Sequence, residues 1–172
     1  MSGPVAVLVG PPGAGKTTVG RVLADRLGVP LHDTDAAVEE LVGKPVADIF
    51  VQDGEAVFRG LERQEVLRAL HEEEGVVALG GGAPVQEEIA EALRGGGLPV
   101  VFLDVTIADA AGRVGFDVSR PLLLVNPRAA WTRLMNARRP VYEELATVQV
   151  QTGGRSPDEV ADEVLALLGL TP

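Results

Sequence analysis

The first residues with obvious chemistry are a lysine and a threonine that close a glycine-rich run. Gly10-Pro11-Pro12-Gly13-Ala14-Gly15-Lys16-Thr17 fits the pattern G-x-x-x-x-G-K-[ST]. It follows an apolar run, Val5–Val9, and precedes a helical pattern. In that setting glycines let backbone N–H groups turn inward around phosphates, and the helix N-terminus adds positive potential. Gly13, Ala14, Gly15, Lys16, Thr17 and Thr18 are therefore expected to hold the phosphates of a nucleoside triphosphate. Lys16 would reach the β- and γ-phosphates, and the Thr17 hydroxyl would ligate Mg²⁺. A glycine-rich turn without a ligand needs neither the lysine nor the threonine.

The loop alone does not separate kinases from motor ATPases and GTPases. The guanine-reading Asn-Lys-x-Asp motif is absent, and the two lysines, Lys16 and Lys44, have the wrong neighbours for it. A mechanochemical ATPase usually needs a larger module than 172 residues. A small-molecule phosphotransferase remains, and it requires an acceptor site. Five further motifs follow in order: Asp33-Thr34-Asp35, Phe58-Arg59-x-x-Glu62, Gly80-Gly81-Gly82-Ala83, Arg120-Pro121-Leu122-Leu123 and Arg138-x-Pro140-x-Tyr142. With the phosphate loop ahead of them, they resemble the shikimate kinase family over nearly the whole chain. The resemblance implies a P-loop kinase fold, α/β, with a five-stranded parallel sheet flanked by helices and a mobile lid. It also implies transfer of the γ-phosphoryl of ATP to the 3-hydroxyl of shikimate, a step of aromatic amino-acid (chorismate) biosynthesis. Another small P-loop kinase acting on a hydroxy acid, such as gluconate kinase, is the nearest rival. A nucleotide sensor that binds ATP without an acceptor is a rival of another class.

Each implied site has a physical rationale. Asp33 and Asp35 flank a strand end beside the loop, so one carboxylate can face the Mg²⁺ shell and the other the acceptor hydroxyls. By resemblance Asp33 serves the metal, while Asp35 binds hydroxyls and accepts a proton or only positions the hydroxyl. Either could instead cap the helix that follows. Val100–Asp104 has the form of an apolar strand ending in a metal-binding aspartate, but the resemblance assigns Asp104 nothing, and Asp33 ranks above it. A carboxylate-bearing substrate calls for bidentate guanidinium donors. Arg59 and Arg138 occupy the family positions for this, with Arg139 a neighbouring rival to Arg138. Gly80, Gly81 and Gly82 leave room for a ring to approach closely, or they form a simple turn. Phe50 and Phe58 would wall that ring or belong to the core. Arg120 falls in a stretch over 114–126 that lacks periodicity, read here as a lid in which Arg120 meets the γ-phosphate and Asp117 weakens the positive charge. Arg113, Arg155 and Pro157 resemble adenine-flanking elements.

These residues need a scaffold, and the pattern supplies one. Apolar runs at Val5–Val9, Pro30–His32, Val76–Leu79, Val100–Val105 and Thr147–Gln151 alternate with helical stretches, as in a doubly wound sheet. Helices are expected over Thr18–Leu27, Asp35–Val42, Val46–Phe50, Gly54–Glu73, Glu87–Leu93, Ala108–Gly112, Ala129–Ala137 and Pro157–Leu168, the last capped by Ser156. The Gly54–Glu73 helix should bury Val57, Leu61, Val66, Leu67 and Leu70. His32 and His71 suggest no metal pair, Glu72–Glu74 reads as a solvated helix end, and Trp131 as core or lid anchor.

Length and composition agree with one domain over 1–172: a nucleotide-binding core, an acceptor region at about 33–62 and the lid. Aromatics are only 3%, so the core is aliphatic and base stacking has few rings available. The net charge of −10 repels nucleic acid and anionic lipid, so neither is an expected partner. Thirteen arginines against two lysines make individual arginines informative. The absence of cysteine fits a reducing compartment, and with no basic, apolar leader at the start the expectation is a cytoplasmic monomer.

Overall fold

The computed structural model describes residues 3–114 and 126–172. Apolar runs too short for helices form the strands β1 (Ala6–Val9), β2 (Leu31–Asp33), β3 (Val76–Ala78), β4 (Val100–Asp104) and β5 (Val148–Gln151). All pair in parallel, in the order β2-β3-β1-β4-β5. β1, β3 and β4 are wholly buried, which explains why they read as unbroken aliphatic runs. The helices are α1 (Lys16–Leu27), α2 (Thr34–Val42), α3 (Val46–Gln52), α4 (Glu55–Glu72), α5 (Glu87–Gly95), α6 (Ile107–Val114), α7 (Pro127–Leu145) and α8 (Pro157–Leu168), with a 3₁₀ turn at Ala83–Val85. Among the described residues, no helix is long and apolar enough to cross a membrane.

Strand alternation assigns the two faces of the sheet. Leu8 lies under Gly20 of α1 and pairs in register with Val101. Phe102, the next residue, therefore points to the opposite face, where its ring meets that of Tyr142 on α7 at 5.1 Å between centroids. α1 and α8 pack together on the first face, and α5 packs against both α4 and α7. A separate small core of Val38, Ile49 and Phe58, with Phe50 and Leu61 against it, ties α2, α3 and α4 together. These helices begin in the stretch that the sequence assigns to the acceptor, and α4 continues past it to Glu72.

Several helix ends shift by one or two residues, and two helices differ from expectation by more. α4 buries Phe58, Glu62, Val66, Ala69 and Leu70, while Val57 is exposed and Leu61 and Leu67 are only partly covered. The buried face is thus rotated onto a charged residue, which an apolar count cannot detect. α7 runs eight residues beyond Ala137 and carries Pro140 within it. α8 has the expected bounds, with Ser156 as its cap and Pro157 in its first turn, and Glu159 adds a reciprocal capping box.

Candidate active site

All the described groups in question lie at or just behind the C-terminal ends of the strands, where open α/β sheets place their ligands. The loop between β1 and α1 begins the site. Gly15 adopts a left-handed conformation (φ 89°) and starts α1 at Lys16, two residues earlier than the apolar period suggested. Lys16 and Thr17 therefore sit in the first turn. No side chain caps that turn and it holds no acidic residue, so its amides remain available to an anion. Lys16 Nζ donates to the carbonyls of Gly10 at 2.6 Å and Pro11 at 3.1 Å, folded back over its own loop. Trp131 on α7 braces the loop from outside, its indole N–H donating to the Pro12 carbonyl at 2.9 Å.

The Thr17 hydroxyl donates to Asp33 Oδ2 at 2.7 Å, while Asp33 Oδ1 accepts from the Ala36 amide and caps α2. The capping reading of Asp33 is thus met by Oδ1, while Oδ2 stays beside the Thr17 hydroxyl. Two hard oxygen donors side by side at the phosphate loop suit a magnesium ion. Asp104 does not compete for that role. Its carboxylate accepts from both Nη atoms of Arg139, from Gln149, from Gln151 and from the Val105 amide. Burial alone would raise the Asp104 carboxyl, but the hydrogen bonds from Arg139 and Gln151 bring it below the usual value.

The three glycines after β3 form a cradle. A Cβ on Gly80 would lie 2.6 Å from Asp35 Oδ1 and 2.8 Å from Glu62 Oε2. One on Gly81 would lie 3.0 Å from Arg138 Nη1, and one on Gly82 would lie 2.6 Å from Arg59 Nη1. Each glycine thus opens onto a different charged group, and any side chain there would displace it. Asp35 Oδ1 and Glu62 Oε2 are shielded from water and have no hydrogen-bond partner among the described residues. Two orphaned acceptors beside a glycine backbone suit a ligand that brings hydroxyl donors. Burial pushes the Asp35 carboxyl up to about 6, with Glu62 and Asp33 adding to the rise and Lys16 and Arg59 opposing it.

Arg59 donates to Glu62 Oε1 at 2.8 Å and to Glu55 at 3.3 Å, and its guanidinium lies over the Phe50 and Phe58 rings. Those two rings belong to the small core and support the arginine from behind. Arg138 is buried, and among the described residues no carboxylate pairs with it. Its neighbour Arg139 turns to Asp104 instead, which settles which of the two faces the cradle. Tyr142, one turn on, donates to the Gly81 carbonyl at 2.6 Å, and burial pushes its hydroxyl up to about 12, keeping the donor protonated.

A cavity of about 710 Å³ joins the loop from Pro12 to Thr18 with Asp33, Asp35, Gly80 and Gly81 on one side and Arg113, Arg155 and Pro157 on the other. Arg113 ties α6 to the loop, donating to the Gly13 carbonyl and to Thr152. Arg155 pairs with Glu163 and the Gln151 carbonyl. Arg59, Gly82 and Arg138 are not among its lining residues; they adjoin it through the glycine run, Arg138 at Gly81 and Arg59 at Gly82. The proposed lid, with Arg120 and Asp117, lies outside the described residues but for its two ends. Sequence reasoning read Trp131 as core or lid anchor, not as a brace for the phosphate loop, and named Glu62 only within a motif; a carboxylate three residues from Arg59 on one helix was the available signal for its role.

The chain matches the shikimate kinase family model over residues 12–169. The chain belongs to the shikimate kinase family. It is 56% identical over 161 residues to a shikimate kinase of Thermobifida fusca, covering 94% of this chain and 92% of that one. A shikimate kinase from Acinetobacter baumannii, solved in complex with shikimate, superposes with a TM-score of 0.92 at 35% identity, covering 98% and 93% of the two chains. A gluconokinase from Sinorhizobium meliloti shares the fold alone, with a TM-score of 0.58 at 23% identity. As a shikimate kinase family member, the chain is a phosphotransferase enzyme, and the rival without turnover is set aside.

Proposed function

We propose that this enzyme transfers the γ-phosphoryl group of ATP to the 3-hydroxyl of shikimate, yielding shikimate 3-phosphate and ADP. The observation that carries the reading is the glycine cradle: two orphaned carboxylate oxygens beside Gly80, with Arg138 and Arg59 at Gly81 and Gly82. A polyhydroxylated carboxylic acid offers hydroxyls to the first pair and its carboxylate to the two arginines. Lys16, with the amides of Gly13 to Thr18, grips the phosphates, and Arg113, Arg155 and Pro157 flank the base. Thr17 and Asp33 would hold Mg²⁺, which when bound neutralises charge on the phosphate oxygens.

In the reaction the acceptor hydroxyl oxygen forms a bond to the γ-phosphorus as the bond to the β,γ-bridging oxygen breaks. Asp35 orients that hydroxyl and takes its proton. With its carboxyl at about 6, Asp35 is mostly ionised at neutral pH yet basic enough to accept. Positioning supplies much of the rate, because the fixed cradle replaces a bimolecular encounter. We further propose a monomer working in the cytoplasm; in support, one chain supplies all the described groups, and it has no cysteine. The test is ADP release with Mg-ATP and a panel of shikimate, quinate, gluconate and nucleoside monophosphates. Turnover with shikimate far above the others is expected, and a preference for gluconate would overturn the reading.

A further inference from the structure

Arg138 poses a mechanical problem. It is a buried guanidinium with no carboxylate partner among the described residues, so no ion pair fixes its position. Its placement depends on α7 itself, through the backbone and through a side-chain hydrogen bond to Tyr142 one turn on, and that helix is interrupted beside it. Pro140 has no N–H to return to the Asn136 carbonyl, and its ring crowds that carbonyl. A helix with a missing bond is free to bend there, and any bend would move Arg138 relative to Gly81. Beyond the core packing of Met135, Tyr142 and Leu145 and the Arg94–Glu144 pair on its outer side, two contacts tie this part of α7 to the strand ends. One is the Tyr142 hydroxyl on the Gly81 carbonyl. The other is Arg139, which makes two bonds to Asp104, at 2.8 and 2.9 Å, with its guanidinium over the Phe102 ring. Asp104 is the last residue of β4 and is itself fixed by Gln149, Gln151 and the Val105 amide, which makes it a rigid point of the sheet.

We infer that Asp104 is a positioning residue for the acceptor site: through Arg139 it holds the proline-interrupted stretch of α7 so that Arg138 faces Gly81. The inference rests on the reading of Arg138 as part of the carboxylate clamp. It separates acceptor from nucleotide. The backbone carbonyl of Asp104 accepts from the amide and hydroxyl of Thr152, which lines the nucleotide side of the cavity, while only the carboxylate reaches α7. A change confined to the carboxylate should therefore touch acceptor binding and spare ATP.

The experiment is a double-mutant cycle of Asp104→Asn and Arg138→Ala, read by equilibrium shikimate binding, by KM for both substrates, by kcat and by thermal melting. We expect Asp104→Asn to raise the shikimate Kd and KM about fivefold or more, with ATP KM and kcat within twofold, and to add nothing in the Arg138→Ala background. Arg139→Gln should reproduce this effect, and serves if Asp104→Asn does not fold. An unchanged shikimate Kd with a lowered melting temperature would assign Asp104 to stability alone and overturn the inference. An equal effect in both backgrounds would also overturn it, since the route through Arg138 would be absent. If Arg138→Ala itself leaves shikimate binding intact, the clamp reading fails, and this inference fails with it, whereas the reaction assignment is judged separately by parent turnover.

Discussion

Asp35 shows how a residue serves function at a cost in stability. Its carboxyl sits at about 6 in the fold against an ordinary 3.8, chiefly because it is buried without a partner for Oδ1. The fold therefore favours the protonated form. The contribution is complete below about pH 4 and is lost as pH rises through 6. Asp35→Asn should stabilise the metal-free, ligand-free protein at pH 8 by about 1–3 kcal/mol, with the gain gone at pH 4. Melting curves at both pH values check this, and turnover should fall at least 100-fold in the same variant. Gly82→Ala tests the cradle from the other end. Its methyl group would meet the Arg59 guanidinium at 2.6–2.8 Å, the far end of a flexible side chain, so the fold survives and the arginine moves. Loss of a charge-assisted bond is worth about 1.5–3 kcal/mol, or roughly 10- to 150-fold. Shikimate KM should rise on that scale with ATP KM unchanged, and steady-state kinetics would show it.

Among the elements, legibility followed locality. The cap of α8 was visible in the sequence because Ser156 and Pro157 act within one turn. Replacing Ser156 by alanine should cost about 1 kcal/mol, or about 2–4 °C in a chain of this size, with kcat and KM unchanged; calorimetry and kinetics check the two halves. The phosphate loop and the glycine run were legible for the same reason. The second half of α7 was not, since Pro140 is a helix breaker on sequence grounds, and what keeps the helix continuous lies elsewhere: Asp104 is 35 residues from Arg139 and Tyr142 is 61 from Gly81. The buried face of α4 was misplaced because Glu62 fills a core position, held by Arg59 and Gln86. Its burial depends on a partner from the turn before α5, which no helical period reveals.

At the scale of the whole molecule, a chain of net charge −10 brings five of its fifteen lysines and arginines to where an anionic ligand would sit. Lys16, Arg59, Arg113, Arg138 and Arg155 converge from five segments around the strand ends. Occupying such a site stabilises the folded state by mass action. Shikimate at about 100 times its Kd should add about 2.7 kcal/mol and raise the melting temperature by roughly 5–11 °C. Gluconate at equal concentration should do far less, and differential scanning fluorimetry separates the two. Trp131 gives the molecule an optical property of its own. It is the sole indole in the chain, and its N–H is bound to the Pro12 carbonyl in the phosphate loop. The fluorophore therefore lies one hydrogen bond from the segment that a nucleotide must rearrange when Lys16 leaves its own loop carbonyls for phosphate. The unlabelled enzyme should report ADP binding as a change in emission colour and intensity, and stopped-flow mixing would then time the arrival of the nucleotide directly.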